Sequence, residues 1–189
     1  FLRITGQQDG RNFCFHSKLT PVGATHGTEP YQSLLPLEQA VQVWLDQPIG
    51  ELAYPISPEG KLDAALYGSQ VAALFNQVQL AETGADFSCT SLGNDPVGLA
   101  SPVTMRGVTA AYLFANTLVV LEVTEEVLRQ TLERCAAYFT LVDGQPQISE
   151  EFLLPKVEHY NYDFYAGLAY TFDLRRPVGS RVVRLAKLD

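Results

Sequence analysis

The 189-residue sequence is poor in cysteine, histidine and positive charge, and each shortage removes a class of chemistry. Cys14, Cys89 and Cys135 lie far apart, a spacing that fits neither a Cys-x-x-Cys metal knuckle nor an even-numbered disulfide framework. They read as three small buried hydrophobes, with a single disulfide left open. His16, His26 and His159 are separated by 10 and 133 residues, so no pair has the spacing that presents two imidazoles to one metal. Thirteen Lys+Arg against 21 Asp+Glu leave a formal net charge of -8 and no basic cluster. Duplex nucleic acid is therefore excluded as a main partner, because phosphate binding needs clustered Lys and Arg. Long apolar runs are also missing. Stretches such as Leu118–Leu121 fall far short of the roughly 20 residues that cross a bilayer. No signal-peptide pattern opens the chain. The one methionine is Met105 and the first residue is Phe1, so polypeptide upstream of Phe1 is expected.

What is present describes a folded domain. Hydrophobic residues make up 47% and charged residues 18%, a globular and not a disordered composition. At roughly 150 residues per domain the length gives one domain with a surplus. Residues 11–19 alternate, with Phe13, Phe15 and Ser17 on one face and Cys14, His16 and Lys18 on the other, and predict a strand that Pro21, Gly23 and Gly27 break. Thr28 is placed to cap a helix whose first turn holds Glu29 and Pro30. Leu34, Leu37, Val41, Trp44 and Leu45 form its apolar stripe, and Pro48 and Gly50 end it. Pro58 and Gly60 introduce a second helix striped by Tyr67, Val71, Leu74, Phe75 and Val78, which Gly68 only weakens and which ends at Gly84.

A short strand over 87–91 and a Gly/Asn/Asp/Pro-rich loop over 93–102 follow. Residues 118–123 make a β-branched run, and Thr124 then caps a third helix carrying Glu125 and Glu126 in its first turn. Its core stripe is Leu128, Leu132, Cys135 and Phe139. Leu168, Tyr170, Phe172 and Leu174 alternate with polar or small residues in a half-exposed strand, and 181–188 form the last one. The predicted class is α+β, a mixed sheet with interspersed helices. Local nucleophile and phosphate motifs fail. Gly68-Ser69-Gln70-Val71 lacks the second glycine of a nucleophile elbow, so Ser69 reads as a helix residue. Gly93 and Gly98 have a P-loop frame without its Lys-Ser/Thr pair.

Four stretches in order carry a resemblance: Thr83-Gly84-Ala85-Asp86, Phe114-Ala115-Asn116-Thr117-Leu118-Val119-Val120, Leu132-Glu133 and Tyr160-Asn161-Tyr162-Asp163-Phe164. Together they resemble the C-terminal, substrate-binding domain of the 5'-nucleotidase family. The Tyr-Asn-Tyr-Asp run before a Gly-x-x-Tyr strand points to its 2',3'-cyclic-nucleotide 2'-phosphodiesterase/3'-nucleotidase branch. The helix from Ser33 to Leu45, followed by Pro48-Ile49-Gly50-Glu51, resembles the family's interdomain linker. The resemblance implies three parts: residues 1–27 as the tail of an N-terminal metallophosphatase domain, 28–50 as linker helix, and 51–189 as a substrate-binding domain truncated at its C-terminal end.

In that family two divalent metals sit in the N-terminal domain on Asp-x-His, Gly-Asn-His-Glu and Gly-His-x-His motifs, and none of these occurs here. The resemblance thus implies no cofactor or catalytic residue within this chain. It implies instead a clamp that stacks a nucleobase between two aromatics, with Phe114 as the first and Asn116 as a polar contact; the second lies beyond Asp189. Tyr160, Asn161 and Asp163 are the remaining candidates. Stacking on an aromatic face contributes about 1–3 kcal/mol per base and tolerates any base. Where the family carries substrate-binding arginines this sequence has Lys61, Ala65 and Asn94-Asp95-Pro96, a departure that argues against direct phosphate recognition. Implied partners are a nucleotide or nucleoside and the chain's own N-terminal domain, and the implied location is secreted, periplasmic or cell-surface. Two rivals stay open: a structural or interaction module with no nucleotide site, and an enzyme using a dispersed acid–base pair.

Overall fold

The computed structural model describes residues 2–9, 12–19 and 29–188. The expected Thr28 cap, the breaks at Pro21, Gly23 and Gly27, and His26 lie outside the described residues. The chain divides into two units, Phe1–Trp44 and Leu45–Asp189.

The first unit contains an antiparallel hairpin, β1 (Leu2–Asp9) with β2 (Asn12–Leu19), in register from Leu2 opposite Leu19 to Asp9 opposite Asn12. The strand expected over 11–19 is β2. Helix α1 (Glu29–Leu45) follows, with Pro36 inside it. Its expected apolar stripe is present, but Leu34, Leu37, Val41 and Trp44 are all exposed.

The second unit alternates helices with antiparallel strand pairs, which bears out the α+β class. Strand β3 (Pro48–Gly50) pairs with β5 (Val103–Thr104), and β4 (Ser88–Ser91) with β8 (Asp163–Ala166). Strand β6 (Phe139–Val142) pairs with β7 (Gln145–Ile148), and β9 (Leu168–Phe172) with β10 (Val182–Lys187). The β6–β7 turn is Asp143-Gly144, both at positive φ (51° and 75°), the conformation that favours this dipeptide in two-residue hairpins.

The helices are α2 (Lys61–Tyr67), α3 (Gln70–Thr83), α4 (Met105–Ala111) and α5 (Glu125–Ala136). The single helix expected across 61–83 is two, because Gly68 adopts φ 98°, a conformation that no helix continues through. Ser69 then starts α3 as its N-cap, its hydroxyl accepting from the Ala72 N–H at 3.4 Å. Tyr67, expected on the buried stripe, is 84% exposed at the break. Helix α3 does end at Gly84, whose N–H donates to the Leu80 carbonyl. Thr124 caps α5 as expected, accepting from the Val127 N–H at 3.3 Å. Phe139 is buried but belongs to β6, not to the α5 stripe.

Two further expectations fail. The run 118–123 has no regular secondary structure, and Leu118–Leu121 are exposed; β-branched composition favours a strand only where a neighbouring strand supplies the ladder. Among the cysteines only Cys135 is buried, while Cys14 and Cys89 are exposed free thiols.

The core is aromatic. Tyr138, Phe139, Phe152 and Tyr162 are buried together with Cys135 and Ala137, with ring centroids of Tyr138 4.9 Å from Tyr162 and 5.0 Å from Phe152. Val71, Ala72 and Leu92 form a second cluster, and Phe164 packs against both. Two buried polar side chains tie the elements together. Asn76 donates to the Phe164 carbonyl at 2.9 Å and accepts from the Ser88 hydroxyl at 2.7 Å, joining α3 to β8 and β4. Arg181 donates to the carbonyls of Ala136, Phe139 and Arg176 at 2.8, 2.7 and 3.0 Å. The Glu133 carboxylate accepts from the backbone N–H groups of Arg181 and Val182.

Candidate functional site

The segment after α4 presents Phe114. Thr104 caps α4, accepting from the Gly107 N–H at 3.1 Å, and Tyr112 closes it by donating its N–H to the Val108 carbonyl. The Tyr112 ring meets Phe75 of α3 edge-on, with centroids 5.2 Å apart. Two residues on, Phe114 is 68% exposed, which rules out a core role. Its carbonyl accepts from the Asn116 N–H at 2.8 Å, and the Asn116 amide donates to the Tyr112 hydroxyl at 3.4 Å.

Phe114, Asn116 and Tyr160 line one groove of about 110 Å³, together with Phe75, Gly93, Asp95 and Pro96. Three candidates drawn from sequence positions 46 residues apart therefore converge. Asn161 and Asp163 lie outside this lining. Asn161 donates to the Glu158 carboxylate at 2.9 Å, holding the turn that carries Tyr160. Asp163 opens β8 opposite Ser91, its carbonyl beside the Cys135 thiol, and burial pushes its carboxyl above the usual range. A larger apolar groove of about 400 Å³, between Leu74, Val78, Val108 and Leu118, adjoins the first and shares Phe75, Tyr112 and Asn116 with it.

The side of the groove is fixed by residues that sequence reasoning passed over. The Asn94 amide donates to the Val157 carbonyl at 2.9 Å and accepts from the His159 N–H at 3.0 Å, bridging the 93–96 loop to the Tyr160 turn. Lys61 donates to the Gly93 carbonyl at 3.3 Å. His159 Nδ1 and the Tyr138 hydroxyl are 2.7 Å apart. Burial, and then the Lys61 charge, hold the His159 imidazole below its ordinary range; burial pushes the Tyr138 hydroxyl up to about 12. Asn94 entered the sequence reading only as a departure from a family arginine, because its two backbone partners lie more than 60 residues away. Among the described residues no group of three or more His, Cys, Asp or Glu is arranged to hold a metal ion.

The family model for the 5'-nucleotidase C-terminal domain matches residues 50–189. The chain belongs to the 5'-nucleotidase C-terminal domain family. A curated relative from Haemophilus influenzae, 2',3'-cyclic-nucleotide 2'-phosphodiesterase/3'-nucleotidase, is 27% identical over 167 residues, covering 76% of this chain and 25% of its own length. Among solved structures, a protein assigned as a 5'-nucleotidase from Staphylococcus aureus, in complex with alpha-ketoglutarate, is similar at 30% identity with a TM-score of 0.77, covering 97% of this chain and 36% of its own. A 5'-nucleotidase precursor from Thermus thermophilus shares the fold, with 24% identity, a TM-score of 0.57, and 97% and 34% coverage. The chain thus spans about a quarter of the curated relative and about a third of each solved one. No helix among the described residues is long and apolar enough to cross a membrane.

Proposed function

We propose that this 5'-nucleotidase C-terminal domain recognises the nucleoside part of a nucleotide, 2',3'-cyclic nucleotides included, for an exported metal-dependent phosphoesterase. In this reading a separate catalytic domain with two divalent metals cleaves the ester, and this chain alone hydrolyses nothing. The observation that carries the reading is the convergence of Phe114, Asn116 and Tyr160 on one groove. The exposed Phe114 ring offers a stacking face at no cost in core packing, and Asn116 offers an amide that matches a base or sugar edge. Asn161 and Asp163 act in this reading by shaping the turn and strand beside Tyr160. The relative named for cyclic-nucleotide and 3'-nucleotide hydrolysis supports the choice of substrate class.

Calorimetric titration of the chain with adenosine tests the proposal. Loss of about 1–3 kcal/mol of stacking should weaken binding to Phe114→Ala by about 5- to 150-fold. Equal affinity for the two proteins would sink the clamp assignment and favour an interaction module, for which the exposed Leu118–Leu121 run is the surface on offer.

A further inference from the structure

We infer that Asp95 selects the base, so that the Phe114 groove takes guanine nucleosides and nucleotides in preference to those of adenine; this rests on the base-binding reading above. Stacking on an aromatic face tolerates any base, so a choice among bases has to come from polar groups along the groove. Several of these are already engaged. The Gly93 carbonyl accepts from Lys61 at 3.3 Å, the Tyr160 hydroxyl accepts from Lys156 at 2.9 Å, and the Asn116 amide donates to the Tyr112 hydroxyl. Asp95 differs from them. It is exposed on the groove lining, and among the described residues its carboxylate enters no hydrogen bond and no ion pair. Lys61 and His159 interact with it through charge alone.

The backbone that carries this carboxylate is held on both sides. Asn94 before it bridges to Val157 and His159, and Pro96 after it narrows the conformations open to Asp95. Such a group loses little freedom when a ligand docks. A carboxylate only accepts, through two oxygens side by side, and so matches an edge that offers two adjacent donors. Guanine has that edge in its N1–H and 2-amino group. Adenine and cytosine each set one amino donor beside a ring-nitrogen acceptor, which the second carboxylate oxygen repels, and uracil has a single N–H between two carbonyls. An amide has two N–H donors and Tyr112 takes one from Asn116, which leaves a donor of the kind the guanine O6 accepts. A ribose diol also offers two donors, but it is common to all four nucleosides and would confer no choice among them.

The test titrates guanosine, inosine and adenosine by calorimetry into the unmodified chain, Asp95→Ala and Asp95→Asn. Asp95 is exposed, so neither substitution should disturb folding. The unmodified chain should bind guanosine about 5- to 150-fold more tightly than adenosine, the range expected of a bidentate contact to a base. Inosine, which lacks the 2-amino group, should fall in between. Asp95→Ala should bring the guanosine-to-adenosine ratio close to one by weakening guanosine. Asp95→Asn should do the same, because its amide sets a donor against the guanine donors. Equal binding of guanosine and adenosine to the unmodified chain, inosine matching guanosine, or a guanosine preference that survives Asp95→Ala overturns selection by Asp95 and leaves the base site standing. Equal weakening of all three nucleosides in Asp95→Ala would assign the carboxylate to the ribose and overturn it as well. Failure of all three to bind the unmodified chain overturns the base-binding reading too.

Discussion

Replacing Asn94 probes whether the groove is held open by one side chain. Asn94→Ala removes two hydrogen bonds to backbone, one to the Val157 carbonyl and one from the His159 N–H. Each such bond is worth a net 0.5–1.5 kcal/mol or so, and more where the stranded group stays shielded from water. The Val157 side is exposed and the His159 side half-buried, so the expected loss is about 1–3 kcal/mol in urea unfolding. Asn94→Asp separates the two bonds. A carboxylate still accepts from the His159 N–H, but it has no donor for Val157 and repels that carbonyl. Amide hydrogen exchange at His159 should therefore accelerate strongly in Asn94→Ala and little in Asn94→Asp. Adenosine affinity should fall in both, because the Tyr160 turn loses its tie to the 93–96 loop. If the His159 amide stays as protected in Asn94→Ala as in the unmodified chain, Asn94 does not bridge the two segments and the reasoning is refuted.

Two further outcomes follow from the buried polar groups. Arg181→Ala strips three carbonyls of a charged donor and should cost about 3–5 kcal/mol in denaturant unfolding, with Arg181→Lys recovering only part because an ammonium lacks the guanidinium fork; a loss below about 1 kcal/mol would show that the contacts are dispensable. His159, held below its ordinary range first by burial and then by Lys61, is protonated more readily unfolded than folded. Its contribution to stability is complete above the unfolded value of about 6.5 and is lost as pH falls through the lower folded value. His159→Gln should flatten the drop in urea midpoint on acidification, measured alongside Asp163→Asn because the raised Asp163 carboxyl contributes the opposite slope. An unchanged pH profile would contradict the assignment.

The sequence carried the elements whose signals are local. Alternation marked β2 and β9, Thr124 and its two glutamates marked the start of α5, and Gly84 marked the end of α3. The Asp143-Gly144 turn joining β6 and β7 is likewise a local signal, a dipeptide suited to positive φ at both positions. Other features depend on partners distant in the chain. Nothing in the 118–123 composition says whether a strand lies alongside it, and the pairing of β4 with β8 joins segments about 75 residues apart. Gly68 reads the same in a weakened helix as in a broken one until its φ is known. Phe114, Asn116 and Tyr160 were legible through family motifs, yet their meeting in one groove depends on Asn94 bridging two loops.

The most direct measurement is the position of a bound base. Intermolecular nuclear Overhauser contacts between adenosine and the chain should link the adenine ring protons to the ring protons of Phe114 and Tyr160. Contacts confined to the apolar groove of Leu74, Val78 and Leu118, or none at saturating adenosine, would contradict the account.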